Sequence, residues 1–225
     1  MWLAQQFMIR IPIVIWGTSG HSLVVSNIVR LRGQYEIAGY LDDVHSSRKG
    51  TILADKPILG GYDALPVLKK NGIQHVALAF GHCSARVRVA AFLKKNDFEI
   101  VTLIHPDAVI AESATVGEGT VISAGVIIDP GCKVGKYTIV NNAAVICHGS
   151  TIGNGVHICP SVSIGGDVFI NSGCWVGIGS CIVQRIHVGE RSYIGAGSVV
   201  TKDLPEGILA YGNPARIIRS IKIDF

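Results

Sequence analysis

The run TVGEGTVISAGVII, Thr115 to Ile128, decides the fold. Val116, Ile122 and Ile128 stand six residues apart in it. The spacing continues unbroken on both sides, through Ile110 and Ile104 before it and Val134, Val140, Ile146, Ile152, Ile158, Ile164, Ile170, Val176, Ile182, Val188, Ile194 and Val200 after it. Every one of these residues is β-branched. Four positions beyond each lies a small or apolar residue, from Ala108, Ala114, Thr120 and Val126 to Ser192, Ser198 and Leu204. A six-residue period belongs neither to an amphipathic helix nor to an alternating strand. It marks a β-solenoid. Each hexad is read as one flat face of a triangular coil, so three hexads complete a turn. The aliphatic residue points inward, the small one fills the corner, and Gly or Asn takes the turn that needs a positive φ.

The bulk properties fit a folded chain with room for two modest domains. It has 225 residues, 48% hydrophobic and 16% charged, with 27 glycines. A net charge of +4 without a Lys/Arg block argues against nucleic acid as partner, and no apolar run reaches membrane-spanning length. Met1 to Arg10 lacks a basic region ahead of its apolar residues, so no signal peptide is read and a cytoplasmic location is expected. The six cysteines, Cys83, Cys132, Cys147, Cys159, Cys174 and Cys181, form no C-x-x-C pair and read as reduced structural thiols.

Outside the hexads the pattern changes. Ile11 to Trp16 is a short apolar run ending in Gly17-Thr18-Ser19-Gly20-His21, followed by an apolar helical stretch, Ser22 to Leu31. Strand, Gly-rich turn and helix together present free backbone N–H groups and a helix N-terminus to a phosphate, although the full G-x-G-x-x-G is absent. A second strand, Glu36 to Leu41, closes on Asp42 and Asp43, where a ribose or base is often held. A loop with Lys56 to Gly60, a helix over Tyr62 to Lys70, a strand over His75 to Phe80 ending at Gly81, a helix over Ser84 to Asn96 and a strand over Glu99 to Ile104 complete the region. The alternation predicts an α/β domain over residues 1–104 with a small parallel sheet, then an all-β solenoid over 105–225.

Hexads of this kind resemble those of the hexapeptide-repeat acyltransferases, and the resemblance implies a left-handed parallel β-helix. A Rossmann-like domain with a G-x-x-G-H turn ahead of it resembles the sugar O-acyltransferase family. That family includes sialic acid O-acetyltransferases and bacterial N-acetyltransferases acting on nucleotide-linked 4-amino-4,6-dideoxy sugars. The resemblance covers nearly the whole chain. It implies a nucleotide-sugar in the first domain, against Gly17, Ser19, Gly20 and His21, with Asp42, Asp43 and Gly81 at the same edge. It also implies acetyl-CoA on the β-helix, a homotrimer with the active site between subunits, and a role in surface polysaccharide or glycan assembly. Trp16 departs from the small residue usual before the turn.

Acyl transfer from a thioester needs a base for the nucleophile, stabilisation of the oxyanion, and both substrates held in line. A neutral His is an economical base near pH 7. The solenoid offers His105, His148, His157 and His187. Asn141, His148 and His157, spaced by seven and then nine residues, resemble the family's catalytic segment, in which the first His is the base and the second lies near the thioester. The family usually places Asp or Glu beside its base, whereas here Gly149 follows His148. His105 and His187 are expected at the surface, and Cys147 is not expected to act as nucleophile. Gly166, Gly177, Gly179, Gly195, Gly197 and His157 are candidates to line the CoA arm. Lys202, Arg216 and Arg219 are candidates for its phosphates. The end, Tyr211 to Arg216, resembles the family's G-x-P-A-[KR] terminus. No metal is expected, because the histidines lie dispersed without a carboxylate spacing that closes a ligand set. Trp175, Tyr193 and Ile178 suggest a side covered by another subunit.

These readings give an acetyl-CoA-dependent transferase acting on the amino group of a nucleotide-linked 4-amino-dideoxy sugar. Transfer to a sugar hydroxyl, a non-catalytic scaffold and a serine or amino-acid acyltransferase are the alternatives.

Overall fold

The computed structural model describes residues 10–221, so the start of the Met1–Arg10 stretch read above lies outside the described residues. The first domain runs β1 (Ile11–Trp16), α1 (Gly20–Arg32), β2 (Tyr35–Leu41), β3 (Ile52–Leu53), β4 (Lys56–Gly60), α2 (Leu65–Lys70), β5 (His75–Leu78), α3 (Cys83–Lys95) and β6 (Glu99–Ile100). The sheet order is β3-β4-β2-β1-β5-β6, parallel except for the β3–β4 hairpin at one edge. Lys56–Gly60 is therefore a strand, paired with β2, and not the loop expected from its Pro57 and terminal glycine. β1 carries Ile13, Val14, Ile15 and Trp16 with both faces covered, which is why it reads as an unbroken apolar run.

The strand expected over Glu99–Ile104 divides. Glu99–Ile100 closes the α/β sheet on β5, while Leu103–Ile104 is already the first rung of the solenoid, paired with Val121–Ile122. From there two-residue strands recur every six residues, and each pairs in parallel with the strand eighteen residues on, as Val121 with Ile139 and Thr151 with Phe169. Three walls result. The first carries Leu103–Ile104, Val121–Ile122, Ile139–Val140, His157–Ile158, Trp175–Val176 and Tyr193–Ile194; the second and third start at Val109–Ile110 and Thr115–Val116. The coil is a left-handed β-helix with the aliphatics inside. Ile122 to Val200 are nearly all buried to within a few per cent, and Ile104, Ile110 and Val116 are half-buried because they form the open first coil. The corner residues from Thr120 to Leu204 are buried as well.

The glycines divide into two kinds that the period alone did not separate. The positive-φ corner lies three residues after the aliphatic. Glycine fills it at Gly119, Gly125, Gly131, Gly149, Gly155, Gly173, Gly179 and Gly197, and Tyr137, Ala143, Ser161, Asp167, Arg185 and Arg191 fill the rest. No Asn is among the described positive-φ residues, contrary to expectation. The glycines directly after the aliphatic serve close stacking. A Cβ on Gly177 would meet the backbone N of Ala196 at 2.5 Å.

The α/β domain sits on the first wall, whose outward residues Leu103, Val121 and Ile139 are buried beneath it. The second wall points Val109, Ile127 and Val145 outward, with Val109 64% exposed. The third carries Thr115, Lys133 and Thr151. After the last rung, Ile208–Gly212 and Ala215–Ser220 form an antiparallel hairpin continuing the first wall.

Candidate active site

Two cavities flank the junction of the domains. The first, about 370 Å³, opens at the carboxyl ends of β1, β2 and β5, as parallel-sheet chemistry requires. Trp16, Gly17, Thr18, Ser19, Asp42, Asp43, Gly81 and His82 are among its walls. Gly17 is demanded twice over, by φ +130 and by the Ala79 carbonyl 2.5 Å from where its Cβ would stand. Gly20 begins α1 with open space at its Cα.

The two expected aspartates both line this cavity, and each is also held by the protein. Asp42 turns inward, 7% exposed, and accepts from the Thr18 hydroxyl and from the backbone N–H groups of Val44 and His45. These bonds organise the loop after β2. Asp43 accepts from the indole N–H of Trp16 at 2.7 Å. Trp16 is buried edge-on against Tyr62, so the unusual bulk before the turn fixes this loop as well as walling the cavity.

The second cavity is a groove of about 540 Å³ along the edge between the first and second walls, with Asn141, His157, Cys159, Trp175, Gly177 and Gly195 in its lining. Asn141, Cys159, Gly177 and Gly195 are eighteen residues apart and so stack in one column. The Asn141 carboxamide oxygen accepts from the Asn142 N–H, which orients the side chain at the corner. Trp175 and Tyr193 form part of the wall of this groove, and Trp175 packs on His157 with ring centroids 4.1 Å apart. Ile178 alone of that trio is exposed, at 58%.

His157 and Gly81 join the two cavities. The His157 ring is 6% exposed, and its Nδ1 lies 3.2 Å from the Gly81 carbonyl. Nδ1–H donating to that oxygen leaves Nε2 as a bare acceptor, and Nε2 has no partner in the structure. His21 faces it at 6.4 Å between ring centroids, its own Nε2 also unpartnered. Burial first, and the Arg86 guanidinium second, hold His21 down to about 4 and His157 to about 3. Both are neutral at pH 7.

This pair makes stability depend on pH with a definite sign. The unfolded imidazoles titrate near 6.5, above their folded values, so the unfolded chain binds more protons in between. The contribution is complete above 6.5 and is lost as the pH falls toward about 4 and about 3, by up to about 1.4 kcal/mol per pH unit for each group. Denaturant melts at about pH 7 and about pH 5 should show this loss in the native protein and a smaller one in His21→Gln. Equal losses in the two proteins would remove His21 from the account.

Arg86, on α3, joins the domains. It is fully buried, and its five N–H groups reach five main-chain carbonyls: Tyr137 at 2.6 Å, Phe80 at 3.1 Å, Gly81 at 2.9 Å, Gly155 at 2.9 Å and Val156 at 3.0 Å. The signal was present: Arg86 shares the helical stripe of Val89, Ala90 and Leu93.

His148 lies elsewhere. It is exposed at the corner between the second and third walls, the edge of the prism opposite the face that the α/β domain covers. Its ring leans over Gly166, where a Cβ would stand 2.5 Å from Nε2. Lys202 is on the same column as His148 and Gly166, three coils from the histidine. The expected cofactor residues therefore split, with Gly177, Gly179, Gly195 and Gly197 at one edge and Gly166 and Lys202 at another. Arg216 is exposed on the terminal hairpin, and Arg219 lines a separate cleft with His82, Ser84 and Tyr193.

Of the other histidines, His187 is exposed and stacked on Phe169, whereas His105 is buried at 8% and accepts from the Asp107 N–H. The expectation of a surface His105 fails because it follows directly on the first rung, under the domain junction. Burial, with Asp129 adding to it, holds the Cys147 thiol above its ordinary value. Among the described residues no cluster of three or more His, Cys, Asp or Glu is arranged to hold a metal, and no helix is long and apolar enough to cross a membrane.

An α/β nucleotide domain seated on a left-handed β-helix, with a groove along one edge of that helix, defines a class: the nucleotide-sugar acetyltransferases. Residues 12–93 match the family described as the PglD N-terminal domain. Over 114 residues the chain is 35% identical to the UDP-N-acetylbacillosamine N-acetyltransferase of Bacillus subtilis (strain 168), a stretch covering 50% of this chain and about half of that curated relative, 51%. The structure is similar to that of a histidine-to-alanine mutant of GDP-perosamine N-acetyl transferase from Caulobacter crescentus in complex with CoA and GDP-perosamine. The identity is 31% and the TM-score 0.88, over 93% of this chain and 97% of that one. It is also similar to the acetyltransferase domain of PglB from Neisseria gonorrhoeae FA1090 in complex with acetyl coenzyme A, with 30% identity and TM-score 0.86 over 93% and 100% of the two chains. The chain belongs to the PglD-type nucleotide-sugar N-acetyltransferases.

Proposed function

We propose that this protein transfers the acetyl group of acetyl-CoA to the amino group of a nucleotide-linked 4-amino-dideoxy sugar, in a site completed between two copies of the chain. The nucleotide enters the cavity above the sheet, against the Gly17–His21 turn. The pantetheine arm runs along the groove past Gly177 and Gly195. His148 of the neighbouring copy takes an N–H proton as the sugar nitrogen bonds to the thioester carbon. The tetrahedral oxyanion then collapses, the C–S bond breaks, and the thiolate of CoA leaves. The neutral His157 ring, packed on Trp175, lines the groove beside the bound substrates, and Asn141 positions the reacting group.

One observation carries the shared site: His148 stands on the edge of the prism opposite the nucleotide domain, while Asn141, His157 and both cavities are on the other side. Only a second copy brings the two halves together. The apolar strip of exposed Val109 and Ile127 and half-buried Val145 runs between the two edges and suits burial against that copy, consistent with a homotrimer.

The reaction is tested by thiol release from acetyl-CoA with UDP-, dTDP- and GDP-linked 4-amino sugars. The shared site is tested by complementation. His148→Ala chains and chains with the nucleotide cavity plugged by Ser19→Trp are each expected to be inactive. Mixed at equal amounts, random trimers should recover about a quarter of native activity, because one interface in four joins an intact His148 to an intact cavity. No recovery from a mixture that does assemble would place both halves in one chain.

A further inference from the structure

We infer that Tyr211 is the platform on which the adenine base of acetyl-CoA stacks; the inference rests on the acetyl-CoA reading proposed above. Asn141, Cys159, Gly177 and Gly195 follow one another along the groove, each one coil above the last. The hairpin after the last coil extends that column. Ala210 pairs with Ile194 and is fully buried, so it takes the inward place that the aliphatics hold below it. Tyr211 directly follows Ala210 as Gly195 directly follows Ile194, and it therefore stands over Gly195. A Cβ built on Gly195 would lie 2.7 Å from the Tyr211 Cβ, 3.4 Å from its Cγ and 3.6 Å from its Cδ1. The phenol thus lies at the hairpin end of the groove, over the space that the glycine leaves.

The two ends of the column differ in chemistry. Asn141, with His157 beside it, is the reacting end. Gly177 and Gly195 leave the middle bare, which suits the narrow pantetheine arm. At about 4.8 Å per coil, Tyr211 stands about 19 Å from Asn141 along the prism, a span that an extended pantetheine arm and its diphosphate cover. The Tyr211 ring is 48% exposed. Trp175 and Tyr193 stack on each other in the wall, but among the described residues no ring packs on Tyr211. An aromatic face left open in this way holds a nucleobase by stacking. Arg216 is opposite Tyr211 in the hairpin and exposed, so its guanidinium is available to the phosphates of CoA at the same end. Tyr211 precedes the Gly212 to Arg216 segment, and the family resemblance assigns it no role. The other base in the reaction, that of the nucleotide-sugar, has its own cavity above the α/β sheet.

The native protein, Tyr211→Ala and Tyr211→Phe should be compared by calorimetric titration with CoA, and by thiol release from acetyl-CoA and from S-acetyl-pantetheine, which has no base to stack. Tyr211→Ala should weaken CoA about tenfold or more and lower kcat/KM for acetyl-CoA by the same factor, with kcat nearly unchanged. Its kcat/KM for S-acetyl-pantetheine should stay within about twofold of native. Tyr211→Phe keeps the ring face and should behave as the native protein does. Equal binding of CoA by the native protein and Tyr211→Ala would overturn the inference. So would an equal loss with both donors, which would make Tyr211 a support of the groove and not a platform for the base. The calorimetric comparison holds whichever acceptor the enzyme takes. Failure of the native protein itself to bind CoA is a different result: it would sink the acetyl-CoA reading, and the adenine platform with it.

Discussion

His148→Ala should lose about a hundredfold or more in kcat, with the KM values for acetyl-CoA and acceptor nearly unchanged. His148 is exposed and makes no side-chain contact on which the coil depends, so the variant should fold and assemble as the native protein does. Its substitution removes a proton acceptor and nothing else. The residual rate comes from holding amine and thioester in line, which the groove and the nucleotide cavity still do. The loss should not be recovered by raising pH through the range in which imidazole titrates. Full activity in this variant would leave His157 as the remaining histidine near the groove. His157 is a poor base, because burial holds it near 3 and its Nδ1 is engaged by Gly81. A compensating rate from it would therefore need a different protonation scheme.

Arg86→Met should destabilise the protein by about 3–5 kcal/mol in denaturant unfolding, the largest loss expected for any single substitution here. The methionine keeps the apolar stem but supplies none of the five donors, and carbonyls of both domains lose their partner in a site closed to solvent. Arg86→Lys should also be costly, by about 2 kcal/mol or more, since a compact ammonium with three donors cannot span a planar set of five. Two side effects follow. With the guanidinium gone, His21 and His157 should titrate closer to their ordinary value, which NMR of the imidazoles can follow. Gly81 should also loosen from the solenoid, raising KM for the nucleotide-sugar before kcat changes. A loss below about 1 kcal/mol would mean that water or neighbouring N–H groups satisfy those carbonyls, and the joint between the domains is not where the structure puts it.

Both variants bear on how far the residues alone could lead. The hexads dictated the solenoid because a flat two-residue strand and a sharp corner admit one inward aliphatic per six residues, and that demand repeats in the covalent chain. The first domain was legible for the same kind of reason. β1 is buried on both faces and α1 follows a glycine-rich turn, so period and punctuation change where the structure does. Lys56–Gly60 was missed because its pairing with β2 is not local, and Pro57 and Gly60 read as a loop when the partner strand is out of view.

The candidate catalytic residues were named by side-chain type and by resemblance to a family segment, yet spacing does not say which edge of a prism a residue occupies. Asn141 and His148 are seven apart in sequence, one more than a face, and this turns them to different corners. Only the wound coil shows that His148 points away from its own nucleotide cavity. Stacking likewise brought Tyr211 over Gly195, a neighbour relation visible once the terminal hairpin is seen to continue the coil. Arg86 lay in plain view on a helical stripe, but its role required carbonyls from residues 80 to 156 to converge. The coil, the order of the domains and the chemical kinds of side chain available could be read along the covalent chain, because they follow from local period and composition. Which of those side chains face each other emerged with the folded molecule, because burial, charge and hydrogen-bond partners are set by residues far apart along the chain.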